Sequence, residues 1–407
     1  MPPMSHPRRL RSVALIALLA ACSPAVTSAT YADDPAIDAN GAHPAVALSA
    51  APFAIAEVAN VNEPWAMTFL PGTPYALITE RGGRMLLWQD GSAAKPVSGM
   101  PQVAVGGQGG LGDIIVIGPD STNIGNSIDG PDSFDGEVTV ALSWAEEGAG
   151  GLGAVVAIAT INPAKAAALE NLKIIWRASP KVSGRGHFGH RLALAPDGQH
   201  LFITTGERQK FDPAQDMAGT LGKVIRIKLD GSAPADNPFA QKGGATAQIW
   251  SLGHRNPLGI VFDDKGHLWT HEMGPRHGDE LNRVERAANY GYPIVSNGDH
   301  YDGRDIPDHP TRPEFRAPDL WWNPAISPAG LTFHSGTGYK SWGPSLLMGG
   351  LSGEALVRIS LDGTKASKAE RWAMGARVRE VETGPDGTIW VLTDGEDGKL
   401  LKLTPKP

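Results

Sequence analysis

The segment Val381-Glu382-Thr383-Gly384-Pro385-Asp386-Gly387, followed by the run 389–394, decides the fold. It contains an apolar segment, a tight turn in which glycine supplies a positive φ, and a β-branched and aromatic run that ends in threonine and an acidic residue. Three further segments follow the same pattern, at residues 66–80, 192–207 and 260–272. Each copy predicts a β-hairpin.

The spacing of these hairpins predicts how they assemble. Their turn glycines, Gly72, Gly198, Gly266 and Gly387, are separated by 126, 68 and 121 residues. These separations are close to two, one and two multiples of a repeat of about 63 residues, so roughly 355 residues after position 50 hold five to six repeats.

We therefore predict an all-β six-bladed β-propeller of four-stranded antiparallel blades over residues 51–407, because such hairpins bury their faces by stacking radially on their neighbours. A pair of β-sandwiches is the alternative fold. Helical structure is expected to be small, with the best candidate, a single turn, at residues 163–170.

Composition excludes several classes of protein. The 407 residues carry 36 Lys and Arg against 43 Asp and Glu, a net charge of −7, which argues against a protein that binds nucleic acid or an anionic membrane. Hydrophobic residues make up 41% of the chain, enough for a large core. The single cysteine, Cys22, excludes a disulfide framework and any cysteine-based zinc or iron–sulfur site.

The amino terminus predicts export. Three arginines precede the apolar run 13–21, which is too short to span a bilayer and is typical of a signal peptide. The run ends in Leu19-Ala20-Ala21-Cys22, which resembles a bacterial lipobox; ordinary cleavage near Ala32 is the alternative. Residues 1–22 are thus interpreted as a signal peptide with lipobox and residues 23–50 as a flexible tether. The protein is expected in the periplasm, anchored in the outer membrane if Cys22 is lipidated.

Five polar clusters interrupt the predicted strands and are candidates for a ligand site, since loops converge at one end of a propeller channel. They are 106–113, which holds Gln108; 186–192, which holds His187 and His190; 253–259, which holds Arg255 and Asn256; 271–282, which holds Gly274, Pro275 and Glu280; and 376–381, which holds Arg377 and Arg379.

The chemistry of each cluster suggests a role. A neutral imidazole such as that of His187 can abstract a proton near neutral pH, although a structural histidine at a blade junction explains it equally well. Arg255 beside an amide suits a carboxylate or quinone oxygen. The fourth cluster offers hard oxygen donors, which favour calcium, and a charged surface loop is the alternative. Arg377 and Arg379 lie at i, i+2 on a predicted strand and hence on one face, where an anion between them would offset their charge.

Taken together, residues 55–405 resemble the soluble pyrroloquinoline-quinone (PQQ)-dependent aldose sugar dehydrogenases of the glucose/sorbosone dehydrogenase family. The most specific stretches are 253–257, 271–282 and 289–293, supported by 214–216 with 221–224 and by 322–330.

The resemblance implies a propeller that holds PQQ over the channel, with His187 as the catalytic base. It implies that five residues contact the cofactor: Gln108, Arg255, Asn256, Arg377 and Arg379. It also implies that the backbone carbonyls of Gly274 and Pro275 bind a calcium ion at the quinone, and that Glu280 and Tyr290 belong to a second, structural calcium site.

This chain departs from the family at four positions. Ser352 stands where relatives carry a lysine that reaches the cofactor, which predicts weaker cofactor binding. His190 replaces a small residue and is expected to crowd the pocket or alter the proton acceptor. Glu207 replaces the usual aspartate, and 118–121 replaces a histidine-led turn.

We therefore expect an exported enzyme that oxidises an aldose at the anomeric carbon to the lactone and passes electrons to an external acceptor, as a monomer or homodimer. Two alternatives remain: a calcium-dependent propeller lactonase, and a non-catalytic propeller that binds ligands at the cell surface.

Overall fold

A computed structural model describes residues 42–117 and 136–407. The predicted signal peptide with its lipobox, residues 23–41 of the predicted tether and the segment 118–121 lie outside the described residues. Within these two ranges, helical structure consists of five short 3-10 turns, at Leu48–Ala50, Asp212–Ala214, Ala240–Lys242, Ala245–Gln248 and His309–Thr311. No helix in the described part of the chain is long and apolar enough to cross a membrane.

The strands form six four-stranded antiparallel sheets, which confirms the six-bladed propeller and makes the alternative of two β-sandwiches wrong. Blades 1 to 3 contain β2 (Pro64–Phe69), β3 (Tyr75–Glu80), β4 (Arg84–Gln89) and β5 (Lys95–Pro96); β6 (Leu111–Val116), β7 (Val138–Gly148), β8 (Gly151–Asn162) and β9 (Ala166–Arg177); and β10 (Gly189–Leu194), β11 (His200–Thr205), β12 (Lys223–Lys228) and β13 (Ile249–Leu252).

Blades 4 to 6 contain β14 (Pro257–Phe262), β15 (Leu268–Glu272), β16 (Asp279–Arg283) and β17 (Leu320–Trp322); β18 (Pro328–His334), β19 (Ser345–Gly350), β20 (Ala355–Asp362) and β21 (Lys365–Ala373); and β22 (Val378–Thr383), β23 (Ile389–Thr393) and β24 (Gly398–Pro405) with β1 (Phe53–Val61).

The ring closes by pairing the two ends of the propeller. β1 pairs antiparallel with β24, from Phe53 opposite Pro405 to Val61 opposite Gly398, so the first strand completes the last blade. The end of the predicted tether also contacts the propeller: Val46 N–H donates to the Arg371 carbonyl at 2.7 Å.

The hydrophobic core lies between blades rather than within them. Six clusters of buried apolar side chains occur, and each combines residues from two neighbouring blades. Removing both faces of each sheet from water in this way is the main stabilising contribution of the fold. The four turn glycines of the predicted hairpins each lie in the turn between the first and second strands of a blade, so the predicted spacing is confirmed.

The predicted helical turn at 163–170 is wrong beyond its first residues. A turn occupies 163–165, and Ala166 already begins β9, which pairs with β8. The alanine-rich run has high helix propensity, but antiparallel pairing with β8 at the edge of the blade outweighs that preference.

Strand order decides where the loops meet. The first strands of neighbouring blades contact one another around the ring, so they line the central channel. Because every blade is antiparallel, the loop before each first strand and the loop between its second and third strands emerge at the same end of the channel. All five polar clusters occupy these two kinds of loop or the strand residues next to them.

Candidate active site

His187 precedes β10 at this end of the channel and is only 5% exposed. Its Nδ1 lies 2.5 Å from Oε1 of Glu207, which follows β11. A carboxylate only accepts hydrogen bonds, so Nδ1 carries the proton and Nε2 remains an acceptor. The backbone allows this approach because residue 206 is glycine: a Cβ there would lie 2.2 Å from the His187 carbonyl oxygen.

Glu207 is itself held in place. Its Oε2 accepts the backbone N–H of Phe211 at 2.6 Å and that of Lys210. Burial would raise the pKa of Glu207, but the hydrogen bond and charge of His187 together with these backbone donors outweigh it and lower the pKa. Glu207 is therefore a fixed carboxylate that orients the imidazole.

The environment keeps His187 neutral. Burial lowers the pKa of His187, the Glu207 hydrogen bond opposes this shift, and the positive charge of Arg255 adds to the lowering. The net direction is below the ordinary histidine value, so the base form predominates at neutral pH. A neutral, oriented imidazole with a free Nε2 has the properties of a general base.

Gln108, in the turn before β6, is joined to His187. Its Oε1 accepts the His187 backbone N–H at 2.6 Å, while its own backbone N–H donates to the Arg185 carbonyl at 2.8 Å. Gln108 also lines a cavity of about 390 Å³ at the channel mouth. The walls of this cavity include Trp65, Gln108, His190, Met273, Ser327, Arg377 and Arg379.

The predicted arginine pair faces this cavity. Arg377 Nε lies 2.8 Å from Oδ2 of Asp394, and Arg379 donates to Oδ1 from Nε at 3.0 Å and from Nη2 at 2.9 Å. Burial would raise the pKa of Asp394, but the two guanidinium groups outweigh it and lower the pKa. Both arginines bond Asp394 and line the cavity, so the two cations point to one side. With the Arg81–Glu63 pair included, three guanidiniums against two carboxylates leave the cavity wall net positive.

Arg255, which precedes the first strand of blade 4, lies beside a wall of this cavity. Its Nη1 donates to the carbonyl oxygen of Met273, a cavity-lining residue, at 3.0 Å, and its Nη2 lies 3.3 Å from the hydroxyl of Tyr301. Arg255 therefore adjoins the site of the arginine pair and also shifts the pKa of His187.

Asn256 tests whether the residues present fit a bound cofactor. Its side chain is fully buried, yet neither Oδ1 nor Nδ2 has a hydrogen-bond partner, and Nε of Arg255 beside it is also without one. A buried polar group left unsatisfied costs about 1–3 kcal/mol. A planar anion that offers both acceptor and donor atoms would satisfy these groups. PQQ is a planar tricarboxylate of this kind, so the residues present fit it.

The Gly274-Pro275 turn follows β15 and is fixed by one carboxylate. Asp279 Oδ1 accepts the Gly274 N–H at 2.9 Å, and Oδ2 accepts the backbone N–H groups of Ile326 and Ser327 at 2.6 and 2.7 Å. Burial raises the pKa of Asp279 to about 6. A Cβ at Gly274 would lie 2.1 Å from the His277 carbonyl oxygen, so the turn requires glycine.

Among residues 42–117 and 136–407, no group of three or more His, Cys, Asp or Glu side chains is placed to hold a metal ion. That search concerns side chains only, and the predicted calcium ligands at Gly274 and Pro275 are backbone carbonyls. The two calcium sites stay predictions.

Glu280 and Tyr290 meet in a buried network rather than directly. Asn282 Nδ2 donates to Glu280 at 3.1 Å and to Glu272 at 3.3 Å, Glu272 bonds His254 at 2.8 Å, and the His254 ring stacks on Tyr290 with centroids 4.7 Å apart. The Tyr290 hydroxyl is already occupied, since it donates to the Arg283 carbonyl and accepts the Glu285 N–H.

Two of the four departures from the family pattern, Ser352 and His190, lie at the cavity. The Ser352 hydroxyl lies 2.8 Å from that of Ser327 at the cavity edge and carries no charge toward it. His190 stacks on Trp65, with centroids 4.9 Å and planes 11° apart, and its Nδ1 lies 2.9 Å from the Ser143 hydroxyl. Burial and the charge of Arg191 lower the pKa of His190 to about 3. His190 is thus a neutral part of the cavity wall rather than a second base.

Sequence reasoning missed the acidic partners of this site. Asp394 was identified only as a strand end, Glu207 only as a departure from the family pattern, and Asp279 only as part of a polar cluster. The available signal was their position: Glu207 and Asp394 lie within two residues after second strands, and Asp279 begins a third strand, so all three lie at the channel end that carries the other clusters.

Comparison with known proteins agrees with this geometry. Residues 61–402 match the family described as Glucose / Sorbosone dehydrogenase. The chain is 35% identical over 379 residues to aldose sugar dehydrogenase YliI of Escherichia coli (strain K12), covering 89% of this chain and 97% of that protein.

Solved structures resemble it over most of its length. The soluble aldose sugar dehydrogenase of E. coli, in its apo form, is 33% identical with a TM-score of 0.77, covering 87% of this chain and 100% of that one. The PQQ-bound aldose sugar dehydrogenase of Streptomyces coelicolor is 26% identical with a TM-score of 0.67, covering 89% and 99%.

Proposed function

The chain belongs to the glucose/sorbosone dehydrogenase family, and on that basis we propose that it is a PQQ-dependent dehydrogenase that oxidises an aldose at the anomeric carbon to the lactone. The observation that carries the proposal is the neutral, oriented His187 beside a cavity walled by Arg377 and Arg379, with the unpartnered amide of Asn256 next to it.

In this proposal the protein side chains hold and orient the cofactor and the sugar, and His187 moves a proton. Bound PQQ supplies a quinone that accepts hydride from the anomeric carbon. His187 Nε2 takes the proton of the anomeric hydroxyl, and Glu207 stabilises the resulting imidazolium through Nδ1. The guanidiniums of Arg255, Arg377 and Arg379 offset the negative charge of the cofactor, and Asn256 and Gln108 bind it through their amides.

We assign calcium to the Gly274-Pro275 turn. Backbone carbonyls are hard oxygen ligands, and the hydrogen bonds from Gly274, Ile326 and Ser327 to Asp279 keep this turn in one conformation. A second calcium ion is proposed at Glu280 and Tyr290, close to the buried Asn282 Oδ1, which has no hydrogen-bond partner. Because the Tyr290 hydroxyl is occupied, Tyr290 would contribute its backbone carbonyl rather than its side chain.

The cellular setting is proposed from the amino terminus. Export by the signal peptide places the enzyme in the periplasm, with an outer-membrane anchor if Cys22 is lipidated, and the electrons then pass to an external acceptor. Detecting mature protein in the periplasmic fraction, with mass spectrometry of its first residue, tests both points; uncleaved protein in the cytoplasm would contradict them.

Reconstitution tests the activity. The purified protein is incubated with PQQ and calcium, and the absorption of the bound cofactor is followed as glucose is added. Reduction of the cofactor with formation of gluconolactone supports the proposal. Cofactor that binds but stays oxidised with a panel of aldoses contradicts it, and hydrolysis of lactones without quinone would instead identify a lactonase.

A further inference from the structure

Lys223, the first residue of β12, is a completely buried cation. Its Nζ donates to three backbone carbonyls, those of Pro213 at 2.7 Å, Leu221 at 2.8 Å and Ala214 at 2.9 Å. Burial lowers the pKa of Lys223, but an ammonium group has three hydrogens and a neutral amine has two, so three acceptors favour the charged form. We call these three oxygens the carbonyl cradle, since they surround the cation as they would surround a metal ion.

The carbonyl cradle belongs to the loop 206–222, which joins β11 to β12 and carries Glu207, the partner of His187. Two of its oxygens come from the middle of the loop and the third from the end, so a single atom, Nζ of Lys223, joins these two parts. A buried charge is tolerated only where its donors are bonded. The loop therefore cannot move away without leaving the ammonium group unpaired inside the protein.

The same loop contacts the segment 253–256 of the candidate site at two points. The Ala214 carbonyl, one of the three oxygens of the carbonyl cradle, also accepts the Gly253 N–H at 3.0 Å. At the start of the loop, the Glu207 N–H donates to the carbonyl of Arg255 at 2.9 Å. The buried ammonium group thus holds an oxygen at which the loop and the segment meet.

We propose that Lys223 is a positioning residue, an internal cation that fixes Glu207 and Arg255 relative to one another. The part of this inference that concerns cofactor binding and turnover rests on the proposed function. There Glu207 orients the base and Arg255 offsets the charge of the cofactor, so a shift of the loop against the segment would separate the two groups. Lys223 acts through the carbonyl cradle and touches neither His187 nor the cavity wall.

Two variants and one control isolate the cation. Lys223→Ala removes it and leaves space, and n-propylammonium contains the atoms that this substitution removes beyond Cβ. Lys223→Met keeps the length of the side chain without a charge and leaves little space for an added amine. Ile225→Ala is the matched control, because Ile225 is another completely buried residue of β12 and its truncation weakens the blade but leaves the carbonyl cradle intact.

Hydrogen exchange followed by mass spectrometry tests the position of the loop in the apoprotein. In Lys223→Ala and Lys223→Met, exchange in peptides covering 206–222 and 253–256 should be at least about tenfold faster, because the hydrogen bonds that hold the loop are lost. Propylammonium should restore slow exchange in Lys223→Ala alone, and tetramethylammonium, which has no N–H, should not. Unchanged exchange in both variants, equal acceleration in Ile225→Ala, or equal responses to the two amines would overturn the proposal.

Cofactor binding and turnover are then measured separately, with PQQ and calcium. The Kd for PQQ should rise at least about tenfold in Lys223→Ala, and kcat with glucose should fall by up to about 10²-fold, since a misplacement of about 1 Å can cost that factor. Propylammonium should reverse both effects. Ile225→Ala should change neither value.

The two proposals fail in different ways. If the wild type binds PQQ but oxidises no aldose, the proposed function fails, and hydrogen exchange and the Kd for PQQ still decide the role of Lys223. If the wild type and Lys223→Ala oxidise glucose at the same rate and bind PQQ equally, the positioning role is refuted and the dehydrogenase proposal stands.

Discussion

Replacing Glu207 by glutamine tests the proton acceptor most directly. In the wild type, Oε2 of Glu207 accepts two backbone N–H groups, those of Lys210 and Phe211, and Oε1 accepts from His187 Nδ1. A glutamine has only one acceptor oxygen, and the two backbone donors require it. The amide NH₂ then faces Nδ1 and donates to it.

That reversal changes the tautomer of His187. Nδ1 becomes the acceptor, the ring proton moves to Nε2, and the atom that should take the substrate proton is blocked. General-base catalysis contributes typically 10²- to 10⁴-fold, so kcat in Glu207→Gln should fall by about that factor. Glu207→Asp is the control: it keeps the negative charge and the wild-type tautomer, so it should retain much more activity than the glutamine variant.

The pH profile gives an independent readout. Because burial lowers the pKa of His187, kcat/KM in the wild type should rise with pH through a pKa below 6.5 and be flat above it. Removing the Glu207 charge lowers the pKa of His187 further. The rising limb of the kcat/KM profile for the residual activity of Glu207→Gln should therefore move to lower pH. Steady-state rates with an artificial acceptor between pH 4 and 8, with PQQ binding measured in parallel, check both effects. A Glu207→Gln enzyme with wild-type kcat and an unmoved limb would refute the assignment.

Three further substitutions have definite expected outcomes. His187→Gln should abolish turnover while PQQ remains bound, as seen in the cofactor spectrum; retained turnover would contradict the role of His187. Ser352→Lys places a cation at the edge of the positive wall and should lower the Kd for PQQ about tenfold, equivalent to one added charge-assisted bond of about 1.4 kcal/mol, measured by fluorescence titration. Arg191→Met breaks buried ion pairs and should lower the free energy of unfolding by about 3–5 kcal/mol in urea titration, whereas Arg177→Met, at a half-exposed pair, should cost under about 1 kcal/mol; equal losses would contradict the reasoning.

The architecture was predictable because its signal is local and repeated. A turn glycine such as Gly198 or Gly266 is required at each hairpin by backbone geometry, and the distance between glycines measures the blade. Polar loops then collect at one end, since antiparallel blades return the chain to the same side. These two facts predict that Gln108, His187 and Arg379 lie at the same end of the channel, as they do in the structure.

The charge balance of the site was less accessible to sequence reasoning. The pair Arg377 and Arg379 suggested two cations facing an anion, and the structure adds an internal anion, Asp394, that lies between them. Asp394 lies in the loop between β23 and β24, and nothing in its local sequence indicates which side chain it faces. The same holds for His190, whose neutral state depends on burial, to which Trp65 of another blade contributes by stacking, and on the charge of Arg191.

The directions of the side chains at the channel mouth could not be predicted from the sequence for one structural reason, which lies in the first strand of each blade. All six first strands pair irregularly with their neighbour near the start, for example between Gly189 and Leu192 in β10 and between Val378 and Glu380 in β22. A bulge bends the strand and redirects the side chains around it, so simple alternation fails at the channel mouth. Across the bulge in β22, Arg379 turns to the cavity and Glu380 pairs with Arg191. The residues that carry the chemistry are therefore those for which the two-residue period of a strand is least informative.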